Sequence, residues 1–210
     1  MKPSAWLVGA AFVVGGIGLA RAEHEDTIPR AVVERRLGPL VYADALPDAF
    51  RACRPYGGGL PSEETRVFFS SAEMRPTDTT LIVDVDCLDG ARDVVTCTPA
   101  TPRFIKGIHV DVGLHSRFHP EAVAPGCLLP VAPAALKTSR GIGLGASYEA
   151  VRAAYGPPSL KASARKGDEF YLIYTKGRDS AEADAVQFRF AHGAVYAIDL
   201  SYGEGEKQWK

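Results

Sequence analysis

The sequence lacks a surplus of charge of either sign, because its 210 residues hold 24 Lys and Arg against 25 Asp and Glu. Non-specific binding to nucleic acid needs a basic surface, so this balance predicts no nucleic-acid partner. Cys-x-x-Cys pairs and paired Cys and His clusters are also missing, which argues against a structural zinc site. Hydrophobic residues make up 46% and charged residues 23%, which indicates a globular fold rather than a disordered chain.

A long apolar run occurs at the start of the chain and nowhere later. Lys2 precedes an uncharged stretch from Ala5 to Ala20, and an Ala-Arg-Ala triplet ends at Ala22. This order of a charged start, an apolar centre and small residues is typical of a secretory signal peptide. A spanning helix needs about 20 apolar residues, whereas this glycine-containing stretch has about 16. We therefore expect a signal peptide over 1–22, a periplasmic or secreted protein, and no transmembrane segment in the mature chain.

From Arg66 onward, hydrophobic residues recur at every second position, which is the pattern of half-buried β-strands. The predicted strands are 67–69, 81–87, 94–97, 104–112, 170–175, 186–190 and 195–202. In the second of these, the odd-numbered residues are apolar and are expected to face the core. The strand over 104–112 is predicted to place Phe104, Ile108, Val110 and Val112 on one face and Arg103, His109 and Asp111 on the other.

The four cysteines are even in number, and export permits two disulfides among Cys53, Cys87, Cys97 and Cys127. If 81–87 and 94–97 form a hairpin around Gly90, Cys97 lies opposite position 81 or 82. At ~3.3 Å per residue it is then roughly 16–20 Å from Cys87, beyond the ~7 Å limit between bonded Cα atoms. We therefore predict that Cys87 and Cys97 do not bond each other, and that each bonds Cys53 or Cys127.

A short helix is predicted between Ser147 and Gly156. Ser147 can cap its start, Glu149 suits the first turn, and Gly156 can adopt a left-handed conformation before two prolines. Its apolar stripe needs a sheet to pack on.

The last two predicted strands form a hairpin whose register depends on the turn. A three-residue loop over 191–193, with Gly193 left-handed, pairs Phe188 with Tyr196 and Val186 with Ile198. This register buries one consistent apolar face, so it is the one that we predict.

The segment from Lys137 to Ser147, followed by Val151 and the run from Ala154 to Pro158, resembles a motif of exported bacterial proteins. Similar segments occur in the β-lactamase-inhibitor-protein-like and small outer-membrane-assembly lipoprotein group, where a helix precedes an antiparallel sheet. The resemblance extends to Tyr202 and implies a helix-on-sheet binding module of the envelope, with no catalytic residues to transfer. The lipidated Cys of that lipoprotein group is absent here.

Together these patterns predict an α+β fold with antiparallel sheets, short helices packed on one face and two disulfides. The predicted domains are a signal peptide (1–22), a disulfide-stapled β-rich region (23–136) and a helix with a three-stranded antiparallel sheet (137–210).

Candidate metal ligands are few. His115 and His119 have the i, i+4 spacing of helical ligands, and His109 is close in sequence, but Pro120 follows directly and a His-Glu-x-x-His pattern is missing. We therefore favour surface or hydrogen-bonding histidines, and expect no metal or other cofactor. The acidic residues around Gly90 depart from calcium-loop spacing and are explained by strand and turn positions: Asp84, Asp86, Asp89 and Asp93.

The function that we expect is a non-enzymatic binding module with a protein or envelope partner. The alternative is a secreted hydrolase with a site around 109–119, using His109, His115 or His119 with Asp111. The strand over 170–175 is apolar on both faces because of Tyr171, Ile173 and Tyr174. We favour burial of these three side chains, and the alternative is that they form an exposed interface for a partner.

Overall fold

The computed structural model describes residues 34–53, 65–71, 78–88, 96–98, 101–112, 127–163, 168–176 and 184–201. Near the start of this part, β1 (Arg36–Leu37) and β2 (Leu40–Val41) form a small sheet, followed by the four-residue helix α1 (Asp48–Arg51). A 3-10 turn (Pro133–Ala135) and the helix α2 (Tyr148–Tyr155) follow later. None of the helices in these ranges is long and apolar enough to cross a membrane.

In the described part of the chain, the main sheet contains seven antiparallel strands in the order β3-β4-β5-β9-β8-β7-β6. Its strands are β3 (Thr65–Ser70), β4 (Thr79–Cys87), β5 (Arg103–Val112), β6 (Leu160–Ser163), β7 (Phe170–Lys176), β8 (Asp184–Ala191) and β9 (Ala194–Ser201). Antiparallel pairing and two disulfides are confirmed, but the described chain is mostly β, with fewer helices than the predicted α+β class implies. Because β5 pairs with β9, the regions 23–136 and 137–210 contribute to one sheet, and β6 adds a strand that the sequence pattern missed.

Helix α2 begins and ends where the sequence predicts. The Ser147 side chain accepts a hydrogen bond from the backbone N–H of Ala150 (3.2 Å), and Gly156 ends the helix with a φ of 78°. Its buried residue Tyr155 packs against Phe188 and Tyr174, with ring centroids 5.1 and 5.3 Å apart. The helix therefore covers one face of β7 and β8, which we call the core face.

The two disulfides join Cys53 to Cys127 and Cys87 to Cys97. The prediction that Cys87 and Cys97 do not bond each other is wrong. It assumed that a strand over 94–97 pairs with β4, but β3 and β5 occupy both edges of β4. Residues 96–98 form no strand, and the Cα atoms of Cys87 and Cys97 are 5.3 Å apart.

The predicted faces of β5 are correct only for part of the strand. The register shifts between Asp84 and Val85, so Ile105 pairs with Val85 while Gly107 pairs with Asp84, and Lys106 is the extra residue of a bulge. A bulge reverses the alternation, so Ile105 joins the core face and Phe104 lies opposite Asp86 on the other face. Arg103 is buried on the core side rather than pointing outward, and Val112 is exposed.

The β8–β9 hairpin also differs from the prediction. Ala191 pairs with Ala194, so the turn has two residues, His192 (φ 52°) and Gly193 (φ 78°). A register shift follows, and Phe188 therefore pairs with Ile198 rather than with Tyr196. The left-handed Gly193 is confirmed, but the three-residue loop is wrong. The extra residue lies in β9, at Tyr196, rather than in the turn, and this bulge brings the apolar residues of both strands onto the same face.

The Cys53–Cys127 disulfide attaches two irregular segments to the outer edge of β3. The carbonyl of Cys127 accepts a hydrogen bond from the N–H of Ser70 (3.1 Å), and the N–H of Leu129 donates to the Ser70 carbonyl (2.8 Å). The Cys53 sulfur lies 3.3 Å from the Phe68 carbonyl. The backbone carbonyl of Cys53 also accepts a hydrogen bond from the buried Arg103 guanidinium (3.1 Å). Residues 127–129 thus cover part of a strand edge that would otherwise be open to pairing.

Candidate functional site

The face of the main sheet opposite α2, which we call the outward face, is the candidate site. Over β3–β5 it is largely buried, with Phe68 at 3%, Ile82 at 5% and Asp111 at 2% exposure, although the ion-paired side chains of Arg66 and Asp84 are 36% and 39% exposed. Over β6–β8 they are partly exposed, and Leu160 on the edge strand reaches 53%. The outward face therefore changes from a buried half to an accessible half.

A network of charged side chains lies between the two halves. His109 on β5 contacts two carboxylates, with Nδ1 hydrogen-bonded to Asp199 on β9 and Nε2 3.4 Å from Oδ2 of Asp111. Arg189 on β8 completes the network, with Nη2 3.1 Å from Oδ2 of Asp199. The side chains of His109 and Asp111 are only 16% and 3% exposed. The network thus ties three adjacent strands together through two positive and two negative groups.

The two carboxylates control the protonation of His109. Burial by itself lowers the pKa of the imidazole, but Asp111 and Asp199 more than offset this and raise the pKa to about 9. At neutral pH the ring is therefore an imidazolium with both nitrogens facing carboxylates. Such a ring has no lone pair with which to accept a proton, so it is unsuited to act as a general base. Within the described ranges, no group of three or more His, Cys, Asp and Glu could hold a metal ion.

The raised pKa predicts stability that depends on pH. Because the ordinary pKa is 6.5 and the folded value is about 9, the contribution of His109 is complete below pH 6.5 and is lost as pH rises through 9. We expect the contribution of His109 to the free energy of unfolding, measured with urea, to be lower by about 3 kcal/mol at pH 9.5 than at pH 6. In His109→Gln, which cannot titrate, this part of the decrease should vanish. An equal decrease in the variant would contradict the assignment.

The accessible half of the outward face contains two of the three predicted interface residues. Tyr171 and Ile173 are half-buried there, beside Leu160, which pairs with Ile173 across the β6–β7 ladder. Arg189 on β8 is the cross-strand neighbour of Tyr171. Tyr174 points to the core face, is 2% exposed, and donates a hydrogen bond from its hydroxyl to the Gly156 carbonyl (3.2 Å). Burial is thus the outcome for Tyr174, and an interface at Tyr171 and Ile173 stays a prediction.

The remaining predicted positions are either outside the described residues or in ordinary strand positions. His115, His119, Asp89 and Asp93 lie outside the described residues. Asp84 forms an ion pair with Arg66 across β3 and β4 (2.9 Å), as an outward strand position allows.

The sequence patterns did not identify Asp199 and Arg189 as members of the His109 network. Strand alternation marks both as outward residues, but only the sheet order brings β5, β9 and β8 side by side.

A second buried polar cluster, at Glu34, was also missed. Its carboxylate accepts hydrogen bonds from the Tyr155 hydroxyl (2.7 Å), from the backbone N–H and hydroxyl of Ser139 (3.0 and 2.9 Å), and from the backbone N–H groups of Arg35 and Arg36. Burial and the neighbouring Glu34 carboxylate raise the pKa of Tyr155, which stays a neutral donor. The cluster attaches the start of the described chain to α2, so its role is structural.

We expect Glu34 and Tyr155 to be energetically coupled. In a double-mutant cycle of Glu34→Ala and Tyr155→Phe, urea unfolding should give a coupling energy of about 2 kcal/mol, as for a buried hydrogen bond to a charged group. Tyr174→Phe is the matched control, because the Tyr174 hydroxyl bonds to Gly156. Its effect should add to that of Glu34→Ala within about 0.5 kcal/mol. Coupling of similar size in both cycles would contradict this interpretation.

Comparisons of the chain with protein families, with curated proteins and with solved structures found no match. Function is therefore inferred from the geometry of the outward face and from the sequence.

Proposed function

We propose that the chain is an exported, non-catalytic binding protein of the bacterial envelope, and that a protein partner docks on the accessible half of its outward face. The observation that carries the proposal is the apolar strip formed by Leu160, Tyr171 and Ile173 on β6 and β7. Aromatic residues and arginine are enriched at the centres of protein interfaces, and Arg189 borders the strip. A partner would gain most by placing apolar side chains against this strip.

The protonation of His109 counts against its use as the base of a hydrolase. The alternative function, a secreted hydrolase, needs a histidine that can accept a proton at neutral pH. The pKa of His109 is raised to about 9 by Asp111 and Asp199, so the ring is charged under those conditions. The hydrolase would then depend on His115 or His119.

Export is supported by two features. The apolar start of the chain resembles a signal peptide, and two disulfides are consistent with an oxidising compartment. The resemblance of 137–202 to envelope helix-on-sheet modules supports a binding role. Periplasmic or secreted location is therefore part of the proposal.

Site-specific photo-crosslinking in the native envelope tests the docking surface. A crosslinking residue at position 173 should give one defined adduct, whereas the same residue at exposed Ala49 on α1 should give none. Leu160→Glu, which places a charge in the strip, should remove the adduct while the protein stays folded. The proposal fails if neither position gives an adduct, if both give the same one, or if Leu160→Glu leaves it unchanged.

A further inference from the structure

A cluster of aromatic rings with two cations lies on the core-face side of the sheet, at the first turn of α2. The rings of Phe170 and Phe190 are stacked, with centroids 4.6 Å apart, and Tyr148 meets them edge-on at 5.8 and 6.2 Å. Phe190 is fully buried, whereas Tyr148 and Phe170 are half-buried and reach the surface. The cluster therefore presents aromatic surface to solvent.

Two exposed cations from different elements flank Tyr148. Arg152, one helical turn further along α2, donates to the Tyr148 hydroxyl (3.0 Å), and its guanidinium carbon lies 5.8 Å from the ring centroid. Lys161 on β6 places Nζ 5.0 Å from the Tyr148 centroid and 4.9 Å from that of Phe170. We call Tyr148, Arg152, Lys161 and Phe170 the aromatic–cation patch. The ring contacts hold both charges in defined positions, which lowers the entropy cost of binding an anion.

Within the described ranges, neither cation has a carboxylate as an ion-pair partner. Among the residues that the structure describes, Arg152 and Lys161 have no acidic side chain within 4 Å. Segment 137–163 contains Lys137 and Arg140 as further cations and Glu149 as its one acid. Two more acids precede Phe170: Glu169, and Asp168, whose carboxylate pairs with His192 (2.9 Å). Cation–π contacts leave ammonium and guanidinium N–H groups able to bind carboxylate oxygens. This surface thus combines unneutralised positive charge with accessible apolar area.

We infer that the aromatic–cation patch binds an acidic segment of a protein partner, in which carboxylates meet Arg152 and Lys161 and an apolar side chain contacts Tyr148. Charge complementarity sets the sign of the partner. The aromatic floor favours a polypeptide over a bare anion, because Tyr and Arg contribute most when apolar contact accompanies the charge. The patch lies on the side of the sheet opposite the outward face, so this inference is independent of the proposed function.

The test uses the mature chain and a fluorescent peptide of alternating Glu and Leu, followed by fluorescence anisotropy at low and moderate salt. We expect binding that weakens as salt rises, and at least a tenfold loss of affinity in the double variant Arg152→Glu, Lys161→Glu. The matched control is Arg35→Glu, Arg36→Glu, which reverses two exposed cations that take part in none of the cation–ring pairs of the described residues. Its affinity should stay within twofold of the original. If the first variant fails to fold, Arg152→Gln, Lys161→Gln replaces it, with the same direction of effect expected.

Three outcomes would overturn the inference. The original protein could fail to bind the peptide, or both double variants could weaken binding equally, which would indicate general electrostatic attraction. The third is tighter binding to anionic phosphatidylglycerol vesicles than to the peptide with the same dependence on Arg152 and Lys161, which would assign the patch to a membrane surface.

Discussion

Removing the Cys53–Cys127 disulfide should destabilise the protein more than removing Cys87–Cys97. The first joins residues 74 apart and the second residues 10 apart. Loop-closure entropy then predicts losses of about 4.5 and about 2.7 kcal/mol respectively, because a longer loop in the unfolded chain gains more freedom when its cross-link is cut. Urea unfolding of the paired Ser variants, Cys53→Ser with Cys127→Ser and Cys87→Ser with Cys97→Ser, measures both.

The fold adds a structural reason for the same order. Cys127 lies beside the edge of β3, where its carbonyl and the Leu129 N–H bond to Ser70. Without the Cys53–Cys127 bond, residues 127–129 are no longer covalently held against β3. Exposure of this strand edge then lowers the free energy of unfolding further, beyond the effect of loop-closure entropy. A larger loss for the Cys87–Cys97 pair would mean that native-state packing around Cys87 outweighs loop length.

Phe188→Ala should cost about 4 kcal/mol of unfolding free energy, as for other large-to-small changes in a core. Phe188 is fully buried at the centre of β8 and packs against the rings of Tyr155 and Tyr174. Its removal leaves a cavity under α2 that the helix cannot fill, because the Ser147 cap and the Glu34 cluster hold both of its ends.

Phe104→Ala is the matched control for that prediction. Phe104 lies opposite Asp86 on the other face of the sheet and is only partly buried, so its loss should cost about 1 kcal/mol in the same measurement. Equal effects at positions 104 and 188 would contradict the placement of the core between α2 and the sheet.

Local patterns predict most elements because they depend on neighbouring residues alone. The alternation of apolar and polar residues identifies the strands around Val83 and Phe188, and capping residues identify α2, where Ser147 accepts its hydrogen bond as expected. Where the predicted strand faces and the predicted hairpin register fail, a single extra residue is responsible. The bulges at Lys106 and Tyr196 each reverse the alternation, and an alternation pattern cannot show whether a bulge or a longer turn causes the reversal.

Pairing between distant strands is decided by the tertiary structure. The sequence by itself predicts a signal peptide, disulfides, antiparallel strands and one capped helix. Which strand lies beside which depends on the free energy of the whole sheet, so the Cys87–Cys97 bond and the contact of His109 with Asp199 become visible only there. Residues 90 positions apart carry no local signal of each other, and only the packing of β5 against β9 brings their charges together.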